Sequence, residues 1–571
     1  MEYNLAALEF SPTQMIALLP RARARRRGAS STAAEALLFA ALSIVMPAAA
    51  QTSSAPAQGK RPQSAANRTK GRADVARFRA RVEATLNEAH AERAYWGVLV
   101  TDRETGETLY ELNAGHFFTP GSNAKVFTTA FALAALGPDF RFHTTLDSKT
   151  NLEAGGRLAG DLIFSGSGDP DLSNRKFPYA GKVEREGPVE KILAEIVDAA
   201  VAKGLKEVAG DIVADDSLFP YDPYPAGWSI GDLFFSFGAP VGAIALNENS
   251  LTLNVSPGAQ PGDPAMVVVE PGVAINGFGQ EITTSPASDK PELSVVRRPG
   301  LNFILLRGSI PLGHPPVKLD LAMTDPAETA ARTLKQLLED RGVRVMGGVR
   351  VQHSPPPERT ASGEVSLVPR PAPNPHDPLL ILAEHISPPL LESVRLTNKL
   401  SQNLHAELFL RKIASEKNGI GTTDVGLKLE QDFLKSAGIA DGDVVLTDGS
   451  GLAGSNLITP QAMVQLLLYA FHQPWGEDFL STLPIAGMDG TLENRLKGTA
   501  AAGLIQAKTG TLEHDHAISG YATTTRGEHL VFAILENNNP QKGHEAVPTL
   551  DEIAVAMVET LGAPPPKKKK K

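Results

Sequence analysis

Ser122-Asn-Ala-Lys125 sets a hydroxyl and an amine three residues apart at the start of an apolar helical run, so both side chains fall on one helix face within mutual reach. A serine hydroxyl is a poor nucleophile near neutral pH until a neighbour accepts its proton. A lysine can accept it only when burial or a second cation pulls its pKa down. The spacing alone decides nothing, because Ser173-Asn-Arg-Lys176 repeats it in a polar stretch closed by Phe177-Pro178, which reads as a surface turn. Ser401-Gln-Asn403 supplies a second hydroxyl and an amide inside a helical segment, although polar residues there also cap or solvate helices. Lys508-Thr-Gly-Thr511 follows the strand-like run Leu504-Ile-Gln-Ala507, and a cation with two hydroxyls on a strand edge suits a substrate carboxylate. In the order Ser-x-x-Lys, Ser-x-Asn, Lys-Thr-Gly, the three form a specific constellation for an activated serine.

These residues need elements to hold them. Residues 74–92 read as an amphipathic helix, and Trp96 to Val100 with Thr108 to Tyr110 as a β-hairpin. The helix that opens at Ser122 runs to Leu136 and stops at Gly137-Pro138. Residues 139–370 change character, with short β-rich runs between Gly/Pro turns, so residues 146–375 are expected to form inserted, mainly β or α+β accessory modules. Helical patterning returns over Leu379 to Ser415 and Pro460 to Phe471, and Ala517 to Tyr521 reads as the antiparallel partner of the strand before Lys508. Residues 74–145 and 376–562 would then make one α/β catalytic domain from both chain ends. Gly166-Ser-Gly-Asp lacks the Gly-Lys-Ser/Thr ending of a phosphate loop, and Asp448-Gly-Ser-Gly reads as a turn. His514 and His516 find no convincing further ligand and read as solvated strand ends, so no metal and no cofactor is expected.

The chain has no cysteine among its 571 residues, which excludes thiol catalysis, Cys zinc sites and disulfide frameworks. Five arginines against three glutamates in residues 1–50, together with the five terminal lysines, supply +7 to a net charge of −9 and leave −16 on the rest. Nucleic acid is a poor partner for so acidic a surface. A basic run from Arg21 to Arg27, the apolar stretch Ala36 to Met46 and Pro47 to Gln51 have the order of a secretory signal cleaved after Ala50. Residues 51–73 then read as a linker, and the Pro/Lys-rich tail 563–571 as a solvated, disordered end, the alternative being a weak attraction to anionic envelope polymers or headgroups.

The motifs are similar to those of the penicillin-binding protein superfamily. Within it the chain resembles the D-alanyl-D-alanine carboxypeptidase/endopeptidase family of class C low-molecular-mass penicillin-binding proteins over most of residues 74–562. The resemblance takes in Gly166-Ser-Gly-Asp-Pro170, Leu246-Asn-Glu-Asn249, Thr397 to Asn403 with Ala406-Glu407, Asp448-Gly-Ser-Gly-Leu452, Asp489-Gly-Thr-Leu492 and the long insertion between the first two motifs. It implies a β-lactamase/transpeptidase-like fold, peptidoglycan peptides as substrate, acylation by β-lactams and a periplasmic or envelope location. It also implies that Ser122 attacks the bond between two D-Ala residues, Lys125 takes its proton, and Ser401 with Asn403 relays a proton to the leaving amine. Lys508, Thr509, Gly510 and Thr511 would bind the terminal carboxylate, the N–H groups of Ser122 and Thr511 would form an oxyanion hole, and Lys508 would help lower the pKa of Lys125. Asp232 resembles the family's reader of a free amino end, with Phe237 lining the same pocket; the alternatives are a surface charge or capping residue for Asp232 and a core aromatic for Phe237. A β-lactamase and a non-catalytic envelope-binding protein with the same fold are the rivals.

Overall fold

The run Tyr-Trp-Gly-Val-Leu-Val-Thr-Asp over Tyr95–Asp102 is buried at every position after the first, which requires a sheet covered on both faces. In the computed structural model, which describes residues 72–88, 91–273, 277–297, 303–359, 380–540 and 547–562, that strand is the fourth of five. The antiparallel order is Ile505–Thr511, His516–Thr523, His529–Asn537, Tyr95–Asp102, Thr108–Leu112. The two chain ends therefore meet in one sheet, with Val98 opposite Ile534. Alternate side chains feed two cores. Val98, Val100 and Phe532 pack with the helices Ala73–Leu86 and Val547–Thr560 through Phe78, Ile553 and Met557. Leu99, Ala533 and Leu535 face the helices Lys125–Leu136, Asn403–Asn418 and Pro460–Phe471 through Phe127, Phe409 and Leu466.

Between the first two motifs lies a second five-stranded sheet, ordered Val349–Ser354, Ile212–Pro220, Leu162–Ser165, His143–Ser148, Leu380–Ile386. Its first three strands are parallel and its last two run antiparallel to their neighbours. The helices Lys191–Ala202 and Pro326–Asp340 cover it. Two three-stranded sheets, one around Phe303–Pro311 and one around Ser250–Ser256, close a smaller core built on Leu251, Leu253, Ile304 and Leu306.

Several local expectations change. The helical reading of Leu379 to Ser415 fails at its start, because Leu380–Ile386 pairs with His143–Ser148 as a sheet edge. It also breaks in the middle, into the helices Leu390–Leu400 and Asn403–Asn418. The first helix ends at Leu86, short of residue 92. Ser173 is buried, unlike a residue of a surface turn, while Lys176 reaches Glu184. The signal and tail readings fall outside the described residues, as does nearly all of the linker. Among the described residues no helix is long and apolar enough to cross a membrane.

Candidate active site

Lys125 becomes an inside residue because the helix that starts there is buried on every side from Lys125 through Leu133. A 3₁₀ turn, Gly121–Ala124, precedes the helix and hangs Ser122 one turn ahead of the amine. Lys125 Nζ then donates to Ser122 Oγ at 2.9 Å, to Asn403 Oδ1 at 2.6 Å and to the Ser450 carbonyl at 2.5 Å. Burial brings the Lys125 amine down to about 7, against the opposing pull of Asp448 and Glu407.

Ser401 and Asn403 flank the helix break. Ser401 sits at φ 62°, ending Leu390–Leu400, and the next helix starts at Asn403. Asn403 Nδ2 donates to the Phe237 carbonyl at 2.8 Å, which turns Oδ1 towards Lys125. Lys508, wholly buried on Ile505–Thr511, donates to Ser401 Oγ at 3.0 Å and to the Thr509 carbonyl at 2.8 Å. Burial and then repulsion from Lys125 take its amine well below the ordinary lysine range. Burial is thus the leading cause for both amines, and any repulsion between them acts on each.

Gly510 lets the strand touch the serine turn, since a Cβ there would run into the Pro120 carbonyl. Asn123 Nδ2 closes the same junction with a 3.1 Å bond to the Lys508 carbonyl. The first motif, the helix break and the strand edge are thus joined by direct hydrogen bonds. Thr509 Oγ1 donates to Thr491 Oγ1 at 2.8 Å. The turn holding Thr491 is pinned by Asp489, which pairs with buried Lys399 at 2.6 Å.

Phe237 reaches the site through its main chain, while its ring is 41% exposed and stacks on Phe235 with centroids 5.6 Å apart. Asp232 lies on the same segment, half-buried, and forms no ion pair among the described residues. Burial pushes its carboxyl up. His514 and His516 are not a solvated pair: His516 is buried with Nδ1 3.3 Å from Glu536, and His514 bonds the Asn539 carbonyl.

Sequence reasoning missed the support beneath Lys125. Asp448 does make a turn, accepting from the N–H groups of Gly451 and Ala453 and from Trp228 Nε1 at 2.7–2.8 Å. That turn aims the Ser450 carbonyl at Lys125. Glu407 Oε1 accepts from the N–H groups of Gly449 and Ser450, and burial pushes its carboxyl up to about 8. Glu430, beside Thr128, is also pushed up to about 8 by burial. The available signal was an acid inside the apolar run Ala406-Glu-Leu-Phe-Leu410, where an unpaired charge is too costly to keep.

Comparison with known proteins bears on the same span. The model of the D-Ala-D-Ala carboxypeptidase 3 (S13) family matches residues 78–557. A D-alanyl-D-alanine carboxypeptidase of Actinomadura sp. (strain R39) is 32% identical over 501 residues, 86% of each chain. The D-alanyl-D-alanine carboxypeptidase DacB of Haemophilus influenzae is 27% identical over 78% of this chain and 86% of its own. A crystal structure of penicillin binding protein 4 from that organism superposes with a TM-score of 0.69 at 25% identity, covering 83% of this chain and 98% of the other. Because the match takes in both strands of the chain-end junction and every element that meets at Lys125, the chain belongs to the D-Ala-D-Ala carboxypeptidase 3 (S13) family.

Proposed function

We propose that the protein is a serine-type D-Ala-D-Ala carboxypeptidase that works through an acyl-enzyme on Ser122 and also opens peptide cross-links. The observation that carries this reading is the 2.9 Å bond between Ser122 Oγ and an amine held near pKa 7. Near neutral pH a large share of such an amine is free to take the serine proton. Ser122 Oγ attacks the carbonyl carbon between the two D-Ala residues and its proton passes to Lys125 Nζ. Lys125, bonded to Asn403, then gives up that proton, and Ser401, held by Lys508, helps relay it with Asn403 to the nitrogen of the departing D-Ala as the C–N bond breaks. Water then attacks the ester and restores Ser122. The terminal carboxylate docks on Lys508, Thr509 and Thr511 and supplies the counter-charge that lets Lys508 hold its proton. The N–H groups of Ser122 and Thr511 receive the oxyanion. A β-lactam amide is an acyl donor of the same kind, and the Haemophilus influenzae protein has been solved with a β-lactam bound. Export through residues 1–50 would deliver the enzyme to the peptidoglycan, with the inserted segment as accessory modules; its sheet takes in His143–Ser148 and Leu380–Ile386, so the segment is wider than 146–375.

Mass spectrometry of the penicillin-treated protein is expected to find one penicilloyl group, on Ser122, with no adduct and no D-Ala release in Ser122→Ala. An adduct on another residue sinks the assignment, and a wild type without either activity favours a binding protein. Rapid release of the adduct would instead mark a β-lactamase.

Asp232 reads the free amino end of the peptide side chain, with Phe237 packing on its stem. Asp232→Asn is expected to raise KM about tenfold, or ~1.4 kcal/mol, for peptides with a free terminal amine and to leave their N-acetylated counterparts unchanged. Equal effects on both substrates would remove Asp232 from the site.

A further inference from the structure

Glu248 belongs to the segment inserted between the first two motifs, yet its carboxylate reaches the helix break that carries Ser401 and Asn403. It lies in the middle of three successive left-handed residues, Asn247, Glu248 and Asn249, at φ 48°, 56° and 54°. Strained backbone of this kind persists only where its surroundings over-determine it. Here Asn249 Oδ1 accepts from Leu246 N at 3.0 Å, Asn249 Nδ2 donates to the Pro240 carbonyl at 2.7 Å, and Asn247 Nδ2 donates to the Ser250 carbonyl at 2.9 Å.

What the strained turn delivers is a buried, charged acceptor. Arg175 forks onto both carboxylate oxygens of Glu248, with Nη2 2.7 Å from Oε2, and Arg185 Nη2 lies 3.4 Å from the same oxygen. Burial would push the carboxyl up, but the two guanidinium groups outweigh it and hold it at about 2. A further donor is Gln402 Nε2, at 3.1 Å from Oε2. Gln402 is the central residue of Ser401-Gln-Asn403, and its own N–H caps the preceding helix at the Thr397 carbonyl, 3.1 Å away.

We infer that Glu248 is a positioning residue: through Gln402 the inserted segment fixes the loop that sets the Ser401 hydroxyl against Lys508 and the Asn403 amide against Lys125. The insertion thereby becomes part of the catalytic apparatus rather than a passive attachment. A 3.1 Å bond on the residue between two site side chains limits how far either can swing. A carboxylate that stays ionised keeps that bond charge-assisted throughout the working pH range. The kinetic part of this inference rests on the roles proposed above for Lys125, Ser401 and Asn403.

Gln402→Met tests it, because the change removes the link while leaving the buried Arg175–Glu248 pair intact. The variant is expected to melt at the wild-type temperature, to acylate with penicillin about tenfold more slowly, and to show a kcat for D-Ala release lowered to the same extent with KM within about twofold of wild type. Combined with Glu248→Gln, it should be no slower than the slower single variant, since both cut one connection. Hydrogen exchange in the peptide spanning residues 397–405 should quicken in Gln402→Met, and this readout stands whether or not the wild type takes up penicillin. A normally melting Gln402→Met with wild-type acylation, effects of the two substitutions that multiply, or unchanged exchange would each overturn the inference. A wild type that takes no penicillin, with faster exchange still present in the variant, would instead overturn the mechanism on Ser122.

Discussion

Lys125→Met is expected to slow acylation of Ser122 by about 10²–10⁴-fold, the range over which a positioned general base acts. Methionine matches the length of the lysine stem and suits the apolar helix around it, so the chain should still fold. Ser122 keeps its place on the 3₁₀ turn but loses the only amine bonded to its hydroxyl among the described residues. Lys125→Arg should fail as badly, because a guanidinium keeps its proton at any working pH. The wild type makes the complementary prediction. With the amine at about 7, the reactive free base is the minor form below that pH. kcat/KM should therefore climb about tenfold per pH unit from pH 5 towards 7 and level off above it. A flat profile across that interval, or acylation of Lys125→Met at the wild-type rate, would assign the base role elsewhere.

How much of this was legible beforehand depended on whether the chemistry was local. The first motif was readable because the apolar run after Lys125 announces a buried helix, and a buried amine has one electrostatic fate. Lys508 was readable in kind, but its bond to the Ser401 hydroxyl was not, since that depends on a strand and a helix break 107 residues apart. The run Leu380–Ile386 reads Leu-Ile-Leu-Ala-Glu-His-Ile, a composition that suits either helix or strand, and pairing with His143–Ser148 decides the matter from 237 positions away. Tertiary contacts override weak propensity in this way. The break at Ser401 was equally hidden, because serine has no general preference for left-handed backbone and adopts it here between two helices anchored elsewhere. Glu407 and Ser450 escaped for a different reason. Each has meaning only through the other: the Glu407 carboxyl holds the amides of a turn 42 and 43 residues away, and the turn's carbonyl holds Lys125.

The amine that makes Ser122 reactive should also weaken the fold, and the pH dependence of stability should expose this. An unfolded chain leaves Lys125 at its ordinary 10.5, whereas the folded protein holds it at about 7. Below pH 7 both states carry the proton and the whole cost of burying the charge is present. Between about 7 and 10 only the unfolded state carries it, so stability rises with pH, by about tenfold in the folding constant for each unit. Above 10.5 the cost is gone. In Lys125→Met the contribution of Lys125 to this slope is absent, while that of buried Lys508, of the same sign, remains in both proteins. Glu407 and Glu430, held protonated to about pH 8, have the opposite slope below that point, but they are common to both proteins and cancel to first order in the difference. Urea unfolding at pH 7.5, 8.5 and 9.5 should show the wild type gaining on the variant by roughly 3 kcal/mol over the interval. Parallel curves would mean that Lys125 is charged in the folded state, and the proton acceptor for Ser122 would have to be sought elsewhere. A converging pair would tie activity and instability to one buried nitrogen. The same displacement of its pKa that leaves the amine free to take the serine proton is what the folded state gives up in stability.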